Sequence, residues 1–420
     1  MIEKGVGFKH SLRDFGRDIN VNNVSTGIAA GIFGLSAGVV MISAGVAAGL
    51  GTDVIMAWVT SMYLLCGIFS IIVPTYYRVP IPMATSIPGA LLFAAAIPAV
   101  GLGPTMGATL IAGIISLIVG RTGYMGKIIR FIPMPIVMGM IGGILLKFGL
   151  NLVTPLQDAF LPALLMIGTF IIVTRLIPKF PAVLASLLVG IIYVIVSGVD
   201  FSSITFSVDY PTFVLPQFTL DGFLAYGLPL AVILIGMETP AGAGLLQSSG
   251  FKNVPVNGIT AANGIGTMVA SFFCLHSVCI AAPMTGITGS PESGKIEGRW
   301  VSAVTIGIIF LVSAPFYGSL VKLFEITPGY LVAIVAGLAL VRVLISTIGG
   351  ALAAPTFKIG ALFSFLIAAS GITILGIGSS FWALVFGFII SLVVEAKDFQ
   401  FKKQAVSVKQ VNESVETNSI

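Results

Sequence analysis

The chain has 420 residues, of which 57% are apolar and only 9% charged, at a mean hydropathy of +1.08. A soluble domain carries roughly 25% charged residues, so that class is excluded. Nor does the net charge of +5 point to nucleic acid, because the charges sit in short loops between apolar runs, the positive-inside pattern of membrane proteins.

Residues 1–21 are mixed-charge, and FKHSLRDFGRDIN can separate apolar from basic side chains on a helix. This predicts a cytoplasmic interfacial segment lying on the bilayer, rather than a cleavable signal peptide. From residue 22 to 395 apolar windows follow one another, each long enough for a hydrocarbon core of roughly 30 Å. The first half, 22–198, gives segments 22–48, 53–77, 80–98, 104–121, 128–150, 156–175 and 181–198. The longest outer loop, 199–220, follows, with Asp200 and Asp209 but no Lys or Arg. The second half, 221–395, gives 221–247, 254–274, 275–290, 299–321, 326–346, 356–375 and 378–395. Residues 396–420 are polar and predict a disordered cytoplasmic tail.

With the N-terminus inside, Arg78, Arg121, Lys127, Arg130, Arg175, Lys179, Lys252, Lys295, Arg299 and Lys397 all fall on the cytoplasmic side, and Lys322 is the exception. The expected fold is therefore an all-α, multi-pass protein of the cytoplasmic (inner) membrane with both termini inside. Three cysteines in apolar segments, Cys66, Cys274 and Cys279, argue against a disulfide framework or a zinc site. Two histidines far apart make no HExxH motif, 289–299 lacks the spacing of a phosphate loop, and no catalytic cluster emerges. No cofactor beyond a proton is expected.

Residues 80–148 align without gaps on 275–343. Pro88 meets Pro283, Gly103 meets Gly298, Gly123 meets Gly318, Lys127 meets Lys322, Pro133 meets Pro328, Gly142 meets Gly337 and Lys147 meets Arg342. Matched prolines and glycines fix where helices start and break. An odd number of crossings per half makes the repeat inverted, seven plus seven, which is the organisation of secondary transporters with a site between the halves.

Segments 80–98 and 275–290 are repeat partners, short, and broken by proline. The reading is extended backbone to Thr85 or Ser86 and then a half-helix with Pro88 in its first turn; the partner runs extended through His276–Ala281 and helical from Pro283. Extended backbone at membrane depth requires an enclosed cavity, and two helix N-termini facing it make an anion site. Glu238 lies more than a dozen residues from the charges that flank it, Asp221 and Lys252, and an ionisable residue at such depth points to substrate binding or proton movement. A protonated, purely structural glutamate is the alternative. His276, three residues before Cys279, reads equally as a proton relay or as a cap on a backbone carbonyl. The substrate-binding candidates are Thr85, Ser86, Pro88, Gly89, Glu238, Thr239, Cys279, Ala282, Pro283 and Thr285, with Ser277 as a further hydroxyl; the proton-coupling candidates are Glu238 and His276. Lys147 and Arg342 read as snorkelling side chains, and Asp53 as a helix cap.

The stretches YRVPIPMATSIPGALL, RFIPMPIVMGMIGGILLKFGLNL and LIAASGITILGIGSSFWALVFG resemble the benzoate/proton symporter family over about 22–395. That resemblance implies the fold of the uracil transporter: fourteen segments in a core and a gate domain, with the third and tenth built as strand plus half-helix. It also implies proton-coupled uptake of a small aromatic carboxylate, with a homodimer through the gate domain. The uracil transporter's eighth segment supplies a glutamate to its substrate, and Glu238 resembles that arrangement; its second glutamate has no counterpart here. Family members often carry Gln-Asn where this chain has Glu238-Thr239, and Asn where it has Cys279. A nucleobase-type or other neutral planar substrate, and an uncoupled anion channel or exchanger, are the alternative readings.

Overall fold

The computed structural model describes residues 2–125, 133–150, 152–177, 182–198, 209–326, 328–374 and 379–399. Lys127, Arg130, Lys179, loop residues 199–208, motif residues 375–378, the tail from 400 and the side chains of Lys147 and Arg342 lie outside the described residues. The chain is mostly helical. After α1 (Phe8–Asp18) come α2 (Val21–Ala47), α3 (Thr52–Tyr77), β1 (Met83–Ala84), α4 (Ile87–Val100), α5 (Leu102–Thr122), α6 (Met134–Leu150), α7 (Phe160–Leu176) and α8 (Ala182–Val196). Then follow α9 (Leu220–Gln247), α10 (Val256–Ala270), β2 (Cys279–Ile280), α11 (Ala282–Gly289), α12 (Trp300–Ser313), α13 (Tyr317–Ile326), α14 (Gly329–Leu352), α15 (Lys358–Ser370) and α16 (Ser379–Val394). Helices α2, α3, α5, α9 and the stretch Ile296–Ser319 are long and apolar enough to cross a membrane.

Local chemistry sets these ends. Asn20 caps α2 in a reciprocal capping box with Asn23. The window 254–274 ends early as a helix, at Ala270, because the chain turns through Cys274 in the left-handed region (φ 52°). Pro315 breaks 299–321 into α12 and α13. Within α9, two wide π-turns, Phe223–Gly227 and Leu234–Glu238, each end two residues before a proline, Pro229 and Pro240. A helical proline lacks an N–H and crowds the carbonyl four residues back; widening the preceding turn absorbs both defects.

Two bodies emerge from the packing. Helices α6, α7, α8, α14, α15 and α16 pack chiefly on one another, and α2–α5 with α9–α13 form the other body. Within each, glycines bring backbones together: Gly113 and Gly120 of α5 lie against α10, and Gly139 and Gly143 of α6 against α15, where an added Cβ would meet partner backbone.

The N-terminal helix α1 is latched to the larger body. Arg78, left-handed at the end of α3 (φ 54°), pairs with Asp14 at 3.0 Å and with Asp18. Trp300 Nε1 donates to Asp18 at 3.1 Å, and Asn23 Nδ2 donates to the carbonyls of Asp18 and Gly298 at 2.8 and 3.0 Å. The Arg13 hydrogen bond, helped by the charge of Arg17 and the bond from Arg78, holds the Asp14 carboxyl below its ordinary value against the opposing effect of burial. Arg78 sits five residues before β1, so this latch fixes where the extended crossing begins.

Candidate substrate site

Prolines 80 and 82 keep the chain extended beyond α3, and the Ala281 N–H donates to the Pro82 carbonyl at 2.9 Å. β1 and β2 then pair antiparallel, Met83 opposite Ile280 and Ala84 opposite Cys279. In the alignment of 80–148 on 275–343 Ala84 and Cys279 are equivalent positions, so the pairing is centred as a local two-fold axis requires. Each two-residue strand leaves polar groups on its other edge, and at membrane depth these need partners. Ser70 Oγ of α3 donates to the Met83 carbonyl (2.7 Å) and accepts from its N–H (2.8 Å). Thr267 Oγ1 of α10 does the same at Val278, the repeat equivalent of Met83, at 3.3 and 3.2 Å. The Ile280 N–H donates to Asn263 Oδ1 at 3.0 Å.

Both half-helices start at equivalent residues, Ile87 and Ala282, with Pro88 and Pro283 second in each. Their caps differ. Ser86 Oγ accepts from the Gly89 N–H at 3.1 Å and donates to Glu238 Oε1 at 2.6 Å. Its counterpart Ala281 has no side-chain oxygen, and α11 carries no side-chain cap. The first-turn N–H groups of Ala282 and Met284 have no acceptor among the described residues, and Pro283 is exposed. Open donors and the positive end of the helix dipole favour an anion there.

Glu238 stands at the end of the second π-turn and is 8% exposed. Beside it Thr239 Oγ1 donates to the Leu234 carbonyl at 3.0 Å and accepts from Asn263 Nδ2 at 3.0 Å. Asn263 thus ties the turn carrying Glu238 to β2. His276 is fully buried: Trp58 Nε1 donates to its Nδ1 at 3.0 Å, and its Nε2 faces the Ser86 carbonyl at 2.9 Å and the Thr85 hydroxyl. Because an indole can only donate, Nδ1 is an acceptor and the proton sits on Nε2, leaving a neutral imidazole that caps a backbone carbonyl. Ser277 Oγ accepts from the Ser86 N–H at 3.2 Å and lies 3.3 Å from Thr85 Oγ1.

Among the residues singled out in the sequence, Thr85, Ser86, Glu238, His276 and Ser277 share one hydrogen-bonded cluster, with Gly89 joined through the cap. Cys279 is buried opposite Ala84, and Pro88 is buried in the first turn of α4. The Thr285 hydroxyl turns back to the Ala281 carbonyl at 2.8 Å. Sequence reasoning missed Trp58, Ser70, Asn263 and Thr267. Only Asn263, an amide inside the apolar run TAANGIGT, gave a signal. Among the described residues no three His, Cys, Asp or Glu side chains converge as a metal site requires.

Comparison with known proteins adds the family. Residues 17–393 match the family model described as benzoate membrane transport protein. The chain is 30% identical over 355 residues to the inner membrane protein YdcO of Escherichia coli (strain K12), covering 83% of this chain and 89% of that one. It is 27% identical over 357 residues to the benzoate membrane transport protein of Acinetobacter baylyi, covering 83% and 88%. Among solved structures it resembles the transmembrane domain of the cyanobacterial bicarbonate transporter BicA, with a TM-score of 0.59 at 18% identity, covering 84% of this chain and 99% of that one.

Proposed function

The chain belongs to the benzoate membrane transport protein family, a family of multi-pass membrane transporters, and from that premise we propose that it carries benzoate or a similar small aromatic carboxylate together with a proton by alternating access. The observation that carries this reading is the pairing of an uncapped helix N-terminus at Ala282–Met284 with a buried glutamate hydrogen-bonded to the facing half-helix. The carboxylate of the substrate takes the α11 N–H groups. Glu238 takes the coupling proton, so that no second fixed negative charge opposes the anion in a medium where charges are poorly screened. Ser86, donating to Glu238 and accepting from Gly89, holds that carboxyl beside the crossing. His276, fixed as a neutral tautomer, shapes the crossing.

In this reading fourteen segments form a seven-plus-seven inverted repeat, supported by the equivalent helix starts and the centring of the strand pair on Ala84 and Cys279. The α2–α5 and α9–α13 body is the core, and the α6–α8 and α14–α16 body is the gate. Rocking of one on the other exposes the site alternately. The chain lies in the inner membrane with both termini cytoplasmic and pairs as a homodimer through the gate.

Labelled benzoate uptake into proteoliposomes, with and without an inward proton gradient, tests the proposal. Accumulation above the external concentration only with the gradient supports it; equal uptake with and without the gradient removes the proton. The likeness to the transmembrane domain of a bicarbonate transporter favours, as a second reading, uncoupled anion exchange on the same fold. Bicarbonate-driven benzoate exchange without any proton flux would select it.

A further inference from the structure

The motif ASGITILGIGSSFW, one of the runs that carry the family resemblance, contributes none of its described residues to the hydrogen-bonded cluster around Glu238. Its described residues border a cavity of about 420 Å³ between the two bodies. One wall is α4, through Leu92, Ala95, Ala96 and Ala99; the other includes Ala368 of α15, Gly371 and Thr373 beyond it, and Ser379 and Ser380 of α16. Among the described residues no charged side chain lines it, and its volume falls within the range of small-molecule sites, roughly 300–1,000 Å³. Alanines supply most of its apolar lining, and Thr373, Ser379 and Ser380 its hydroxyl-bearing residues; the Ser379 hydroxyl donates to the Ala368 carbonyl at 3.4 Å.

A second observation sets this cavity where the two bodies meet. Ser380 Oγ of α16 donates to the carbonyl of Ala225 in the first π-turn of α9 at 3.1 Å, a bond from one body to the other at the cavity wall. The π-turn changes the backbone pairing that α9 would otherwise have there, and its carbonyl is met by a side chain of the opposite body. Ala95 lies eight residues beyond Ile87, about 12 Å along α4 at 1.5 Å per residue. Leu92 lies nearer, about 7.5 Å from Ile87, and Ala99 farther, about 18 Å, so the cavity runs along α4 away from the start of the half-helix, most of it beyond the reach of a one-ring carboxylate held there.

We propose that this cavity is a second binding station for the aromatic carboxylate, holding its ring against the alanines of α4 and its polar end toward Thr373 and Ser379. The assignment rests on the aromatic-carboxylate reading above. It gives the ring, which the proton site does not address, a surface that discriminates it from ringless carboxylates.

The test is protection of an introduced thiol. Cys66, Cys274 and Cys279 are all buried, so maleimide labelling of Ala95→Cys reports this cavity over a low background. Saturating benzoate is expected to slow labelling at least fivefold, and acetate at the same concentration to leave it unchanged. Ala99→Cys provides a second position should Ala95→Cys fail to fold. Unchanged labelling under benzoate, in a protein whose wild type takes up benzoate, overturns the station and leaves the transport reading standing. Equal protection by acetate overturns the role of the ring. A wild type that takes up no benzoate overturns the substrate reading and this assignment with it.

Discussion

The two extended crossings begin alike and finish differently. Both follow a proline-containing or irregular entry, both contribute two residues to one ladder, and both start their half-helices at equivalent positions, with a proline second. The first is capped by Ser86, runs fourteen residues and is tied to Glu238; the second has alanine at the cap, runs eight residues and leaves its first turn open. A repeated backbone thus carries two chemistries. The first crossing has its N-terminal donors partly satisfied from within and holds the acid. The second leaves the first-turn donors of Ala282 and Met284 without an acceptor among the described residues.

This contrast can be broken from either side. The largest effect is expected from Ala282→Pro, which removes one open N–H at a helix position that accepts proline after an extended residue that tolerates it. A hydrogen bond to a charged group contributes about 1.5–3 kcal/mol, so the KM for benzoate should rise about 10-fold or more, with the maximal rate far less affected. An unchanged KM would move the anion away from α11. Next comes Asn263→Leu, which leaves the Ile280 N–H buried without its acceptor and should lower stability by about 2–3 kcal/mol, read as a lower melting temperature in detergent.

Smaller, and opposite in its two readouts, is Ala281→Ser, which gives the second crossing the cap of the first. An N-cap contributes about 1 kcal/mol, so the melting temperature should rise while benzoate affinity falls several-fold, since the new hydroxyl competes for the first-turn donors. A rise in both would contradict the division of labour. The smallest effect lies at the latch below the first crossing. The folded Asp14 carboxyl is held below its ordinary value, so its contribution is present above the unfolded pKa of about 3.9 and lost as pH falls through the folded value. The melting difference between wild type and Asp14→Asn should stay constant from about pH 5 to pH 8 and shrink below about pH 4. A difference that changes across neutrality would assign the latch to another group.

How legible this was depended on how local the cause was. Pro88 and Pro283 announce the half-helix starts because a proline constrains its own turn and the residue before it, whatever the tertiary setting. Glu238 announces itself because burial of a carboxyl is costly wherever the helix lies in the membrane. The π-turns were hidden, although Pro229 and Pro240 cause them, because a proline in a helix can equally kink it or end it. Ser70 and Thr267 were hidden for another reason: hydroxyls are ordinary at helix contacts, and nothing in sequence marks which of them faces a strand edge. The His276–Trp58 bond spans 218 residues, so this partner of His276 had no local signal at all.

The central claim is that the proton belongs to Glu238 and the anion to the open end of α11. Its most direct test is labelled benzoate transport by Glu238→Gln in proteoliposomes, assayed both as gradient-driven accumulation and as exchange against internal benzoate. The account predicts that accumulation disappears while exchange persists. Accumulation that survives in the mutant would contradict it.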